Sequence, residues 1–137
     1  MHTFESWKDF MSIKLNHTIV HSRDKAISAA FLTEILGLPA PLPSGHFLTV
    51  QLDNEITLDF TETDSKFDRQ HYAFLVSEKE FDEIFARIKE RGLQFWADPY
   101  RRRAGEINTN DGGRGAYFSD PDGHYLEILT RPYGSGG

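Results

Sequence analysis

Two histidines and two carboxylates stand in matching places of a sequence that says nearly the same thing twice. His17 lies in Leu15-Asn16-His17-Thr18-Ile19-Val20 and His71 in Gln70-His71-Tyr72-Ala73-Phe74-Leu75-Val76, and each run leads into a helical stretch stopped by a glycine. His17 to Gly37 is 20 residues and His71 to Gly92 is 21. Each half then closes on an apolar run carrying one acid, Asp59 in Ile56-Thr57-Leu58-Asp59-Phe60 and Glu127 in Tyr125-Leu126-Glu127-Ile128-Leu129. Neutral imidazole and carboxylate are ligands for divalent first-row metals. Pseudo-twofold packing of the halves would bring equivalent positions together at the axis, which is a way to build a divalent-metal site. The chain has no cysteine, so any metal must be held by such nitrogen and oxygen donors.

The elements that must position these groups are legible. Ser77 followed by Glu80 is a capping box, Phe81, Ile84, Phe85 and Ile88 repeat at helical spacing, and Gly92 supplies the stop. In the first half Asp24 is the expected cap, Ile27, Phe31 and Ile35 the buried stripe, and Gly37 the stop. Strands are expected at 13–20, at 47–52 and 55–61 as a hairpin around Asp53-Asn54, at 70–76, at about 94–98, at 115–119 and at 124–130. Asp120-Pro121-Asp122-Gly123 is a tight turn before the last strand. The fold class is therefore α+β, a strand-helix-strands unit used twice, with modules at about 13–62 and 69–131 in a single domain of residues 1–137 and a flexible tail at 132–137. From the helix-stop glycine to the acid is 22 residues in the first half and 35 in the second. The surplus falls in Tyr100 to Gly113, a polar stretch without periodicity, and a loop of that length is expected to border the site.

Other charged and imidazole groups are weaker candidates. Arg114 sits between glycines, where the backbone could approach a ligand closely, and is the best anion-contact candidate. The Arg101-Arg102-Arg103 run reads as a solvated loop, and His21, His46 and His124 as capping, loop and turn residues.

A net charge of −6 over 137 residues opposes a nucleic-acid or anionic-membrane partner, since either would want a basic face. The first eleven residues have no continuous apolar core and do not read as a signal peptide, and no stretch approaches a membrane span. A soluble cytoplasmic protein is the expectation.

With Asn16-His17 opening one copy, His71 opening the other and Asp120-Pro121-Asp122-Gly123-His124-Tyr125-Leu126-Glu127 closing the chain, the sequence resembles the vicinal oxygen chelate superfamily over roughly residues 13 to 131. That group includes glyoxalase I, bleomycin-resistance proteins, extradiol dioxygenases and fosfomycin-resistance transferases. The resemblance implies two tandem βαβββ modules forming a curved, cup-shaped mixed sheet with helices on its outer face, commonly in a homodimer. It implies His17, His71 and Glu127 as ligands of one divalent ion (Fe, Mn, Ni, Co or Zn), with open positions for a substrate bearing two neighbouring oxygens. Asp59 stands where glyoxalase I carries a glutamate that is ligand and base, one methylene shorter here. Tyr117 stands where fosfomycin-type and extradiol enzymes place a tyrosine that hydrogen-bonds substrate oxygen. Ile19 replaces the threonine of the fosfomycin enzymes, and Ile56 the base histidine of the large extradiol enzymes.

The expected function is a metal-dependent enzyme of glyoxalase-like lyase or isomerase, or ring-cleaving dioxygenase, type acting on a small oxygenated molecule. The alternative is a metal-free protein that sequesters a small molecule or antibiotic, as bleomycin-resistance relatives do, with Phe95, Trp96 and Tyr100 as groove walls.

Overall fold

A computed structural model describes residues 12–136, so the stretch to Met11 read above as no signal peptide lies outside the described residues. The first module runs β1 (His17–Ser22), α1 (Lys25–Leu36), β2 (Leu42–Ser44), β3 (Phe47–Gln51) and β4 (Thr57–Glu62). The second runs β5 (His71–Leu75), α2 (Glu78–Glu90), β6 (Gly115–Ser119) and β7 (Tyr125–Leu129). Their sheets are ordered β1-β4-β3-β2 and β5-β7-β6, so the opening strand of each module is an edge strand. This is the tandem α+β architecture expected.

Local chemistry explains the helices. Asp24 accepts from the Ile27 amide at 3.1 Å to start α1, and Ser77 and Glu80 form a reciprocal capping box at the start of α2. Gly37 ends α1 at φ +73, a backbone conformation that costs glycine least. The second helix braces that end: Arg87 donates to the Ile35 carbonyl at 3.0 Å, and Arg91 pairs with Glu34. A cation on the last turn of a helix meets carbonyls that the helix itself leaves unpaired.

Alternation along the strands buries one face of each sheet. Val20, Val50, Leu58 and Phe60 of the first module and Phe118, Leu126 and Ile128 of the second join Ile35, Phe81, Ile84 and Ile88 of the helices in one continuous core. Burying a side chain of this size contributes roughly 1.5–3 kcal/mol. The same alternation turns His17, Ile19, Thr57 and Asp59 to the opposite face of the first sheet, and His71, Tyr125 and Glu127 to the opposite face of the second.

Three expectations of the residue reading change. The buried face of α1 is Ser28, Ala29, Leu32, Thr33 and Ile35, not the stripe of Ile27, Phe31 and Ile35, and Ile27 is 59% exposed. No strand forms at 94–98; Trp96 alone bridges to Tyr117 and Ala104, because the chain turns away through Pro99 toward the long loop. A short strand, β2, which the run-by-run strand reading left out, pairs against β3 from Leu42 to Ser44 and supplies the third strand of the βαβββ module that the resemblance implies. Among the described residues no helix is long and apolar enough to cross a membrane.

Candidate metal centre

Strand register puts the two His/acid pairs in equivalent places. On β1 and β4, His17 pairs with Thr57 and Ile19 with Asp59; on β5 and β7, His71 pairs with Tyr125 and Ala73 with Glu127. In each module the acid thus lies two residues beyond the position opposite its histidine. The outcomes differ by one methylene. Glu127 reaches His71, with Nε2 3.1 Å from Oε1, whereas His17 turns to its neighbour Asn16 and the buried Oδ1 of Asp59 has no hydrogen-bond partner.

The His71 pair has a definite chemical demand. Its Nδ1 lies 3.1 Å from the Tyr125 carbonyl oxygen, which can only accept, so Nδ1 carries the proton of that contact. In the neutral ring the Nε2 lone pair then faces Oε1 of Glu127. Two lone pairs converging on one point require a cation between them, either a proton or a metal ion. Backbone-oriented imidazole with a carboxylate across from it is the arrangement by which proteins present ligands to divalent metals. The donor set therefore fits such an ion.

Glu127 is 1% exposed, and its other oxygen is also engaged. The Tyr133 hydroxyl donates to Oε2, and the Tyr117 hydroxyl lies 2.6 Å from that of Tyr133. Because Tyr133 donates to the carboxylate, Tyr117 donates to Tyr133, and a directed chain runs from Tyr117 through Tyr133 to Glu127. Tyr117 sits directly opposite Glu127 on β6, with its ring 6.1 Å from that of His71. Burial, then the bond to Glu127, pushes the Tyr133 phenol well above its ordinary range. Burial also raises Tyr117, with the Glu127 charge adding to the rise.

These groups form the polar floor of a cavity of about 320 Å³ whose walls are Trp96, Pro99, Arg101, Phe118 and Tyr125. Trp96 is hydrogen-bonded to Tyr117 through both backbone groups, which holds it in the wall of the cavity. Arg101 lies across Trp96 and Tyr125 at 4.9 and 5.0 Å from the ring centroids and donates to Ser119 at 2.9 Å. The beginning of the long loop thus borders the site. Its residues are held from below by Asp98, whose carboxylate accepts the amides of Arg102 and Arg103 and is lowered from its usual range despite an opposing desolvation.

His71, Glu127 and Tyr117 come together, while His17 and Asp59 lie on the other sheet. Among the described residues no three His, Asp or Glu side chains of one chain gather where they could hold an ion. Arg114, the expected anion contact, is outside the cavity: it pairs with Asp82 at 2.8 Å and Glu78 at 3.2 Å over the Phe81 ring, so the protein's own carboxylates meet it. His124 is fully buried at the junction of the modules, with Nδ1 accepting the Gln70 amide and Nε2 donating to the His21 carbonyl. Sequence reasoning missed Tyr133 and the wall role of Arg101. Tyr133 follows the last strand in a tail read as flexible, and nothing in its spacing marks it.

Comparison with known proteins places this geometry in a family. Residues 14–128 match the model of the Glyoxalase/Bleomycin resistance protein/Dioxygenase superfamily. The chain belongs to that superfamily. It is similar to the solved structure of Oxidase ChaP-H1, at 65% identity and a TM-score of 0.88 with 90% of this chain and 99% of that one covered. It is likewise similar to Oxidase ChaP-H2, at 61% identity, a TM-score of 0.90, and 93% and 100% coverage. Glutathione transferase FosA of Serratia marcescens is 32% identical over 121 residues, 83% of this chain and 78% of the relative. Relatives named as oxidases and a transferase support an enzyme.

Proposed function

We propose that this protein is a divalent-metal-dependent oxidase acting on a small aromatic molecule with neighbouring oxygen atoms, its ion held by His71 and Glu127 of one copy and His17 of a second. The observation that carries the reading is the convergence of the His71 Nε2 and Glu127 Oε1 lone pairs, together with a histidine in the equivalent register position on the other free edge strand. Edge strands carry unpaired backbone groups and are the natural place for a second chain to join. Here β1 and β5 present the outward apolar side chains Ile19, 44% exposed, and Leu75, 61% exposed. A twofold pairing of β1 with the partner's β5 makes the contact twice and so completes two equivalent sites. The unpartnered Asp59 oxygen lies on that same face and is read as a base or outer partner of the completed site.

When bound, the ion supplies Lewis acidity and an anchor for adjacent substrate oxygens. The protein's own residues do the rest. Trp96, Tyr125 and Arg101 hold a planar ring over the polar floor, Pro99 helps exclude water, and Tyr117 offers its phenol oxygen to a substrate hydroxyl. The higher identity to the two oxidases than to the transferase favours oxidation over thiol transfer. Between lyase, dioxygenase and oxidase outcomes, the apolar aromatic walls favour an aromatic substrate, and a metal-free sequestering protein would use the same walls.

Complementation between variants tests the reading. Neither H17A nor E127A alone should bind one equivalent of Mn(II) or Fe(II) per chain. Co-expressed, they should recover binding, because a mixed dimer has one intact site made of His17 from one chain with His71 and Glu127 from the other. Recovery that fails while the mixed dimer is present would sink the two-chain site, and wild-type protein that takes up no metal would turn the argument to ligand binding.

A further inference from the structure

Both carboxylate oxygens of Glu127 are spoken for within the chain, by different partners with different consequences. Oε1 faces the His71 lone pair, where a cation is required; Oε2 accepts from a phenol that arrives from beyond the last strand. We infer that Tyr133 is the positioning residue of the centre: its hydroxyl occupies Oε2 so that Glu127 presents Oε1 alone beside His71, and it fixes which way the Tyr117 hydroxyl points. The inference rests on the metal reading above and adds a residue to it.

The placement is built by several contacts. The segment after β7 turns back on itself, with the Ser135 amide on the Pro132 carbonyl at 3.2 Å and the Arg131 guanidinium on the Ser135 carbonyl at 3.1 Å. The Gly134 amide donates to Asp111 Oδ1 at 3.1 Å, which ties the segment to the far end of the long loop. Tyr133 as a whole is 59% exposed, yet its hydroxyl reaches the most buried carboxylate of the site. An exposed ring carrying one buried donor contributes little to the core; what it supplies is the hydrogen bond. A carboxylate whose distal oxygen is held by a donor loses rotational freedom and keeps the near oxygen where the second ligand needs it. The chain also assigns protons: with Tyr133 donating to Glu127, Tyr117 must donate to Tyr133, which leaves a Tyr117 lone pair for a substrate hydroxyl to donate to.

The test is metal titration of the full-length apoprotein with Mn(II), followed by electron paramagnetic resonance, in wild type, Tyr133→Phe and Asp111→Ala. Tyr133→Phe keeps the ring and removes only the hydroxyl. Its affinity should fall by about 10–100-fold, the range for loss of a group that orients a metal ligand, and the visible spectrum of the Co(II) form should change as the second carboxylate oxygen becomes free. Asp111→Ala, which loosens the segment without touching Glu127, should shift affinity in the same direction by less. Unchanged or tighter Mn(II) binding in Tyr133→Phe, with wild-type circular dichroism, overturns the inference while leaving the centre itself standing. Absence of Mn(II) binding in wild type overturns the metal reading and this inference with it.

Discussion

One methylene separates the two modules at the residue that matters most. Glu127 spans from β7 to His71, and Asp59, in the same register on β4, leaves a buried oxygen without a partner. A buried acceptor left unpaired costs about 1–3 kcal/mol, so the first module is the one that has something to gain from a partner chain. The phenols of the second module carry a pH signature. Tyr72, Tyr117 and Tyr133 are all held above their ordinary range, Tyr72 by burial and the Asp120 charge. A raised acid keeps its proton in the folded chain while the unfolded chain releases it, so these groups leave stability intact below about pH 10, the ordinary phenol value, and withdraw it as pH rises beyond. Spectrophotometric titration at 295 nm should therefore show part of the five tyrosines ionising only as the fold is lost, with denaturant midpoints falling above pH 10. Simultaneous ionisation of all five in the folded protein would contradict this.

At the scale of elements, the proposed pairing of two chains rests on the free edges of β1 and β5. A charge placed on an edge strand is the device by which proteins prevent strands from pairing. Ile19→Lys, at the outward face of β1, should convert a dimer to monomer in sedimentation velocity and take metal binding with it, while leaving helix content unchanged, because Ile19 is outside the buried core. An unaltered sedimentation coefficient would place the contact elsewhere. The helices are the part that this change should not touch, since their caps are local and their buried faces lie on the other side of the sheets.

For the whole molecule, the proposed sharing of one ion by two chains would link metal, assembly and stability. A ligand that binds only the native assembly stabilises it by about 2.7 kcal/mol at a hundredfold excess over its dissociation constant. Removing metal with a chelator should lower Tm and shift the population toward monomer, and restoring Mn(II) should reverse both. A Tm that falls without any change in assembly would assign the whole ligand set to one chain.

Much of this was legible before any coordinates. The duplication, both caps, the glycine stops, the Asp120 to Gly123 turn and the equivalence of His17 with His71 and of Asp59 with Glu127 follow from the sequence, because each depends on periodicity, on backbone conformations few residues adopt, or on contacts within a few residues. Tertiary structure alone decided which of these groups meet. That His71 joins Glu127 while His17 stays on the other sheet, that Arg114 turns to Glu78 and Asp82, and that Tyr133 folds back onto Glu127 depend on pairings between distant segments. Alternation tells which face of a strand a side chain leaves by; only the path of the whole chain tells what waits on that side.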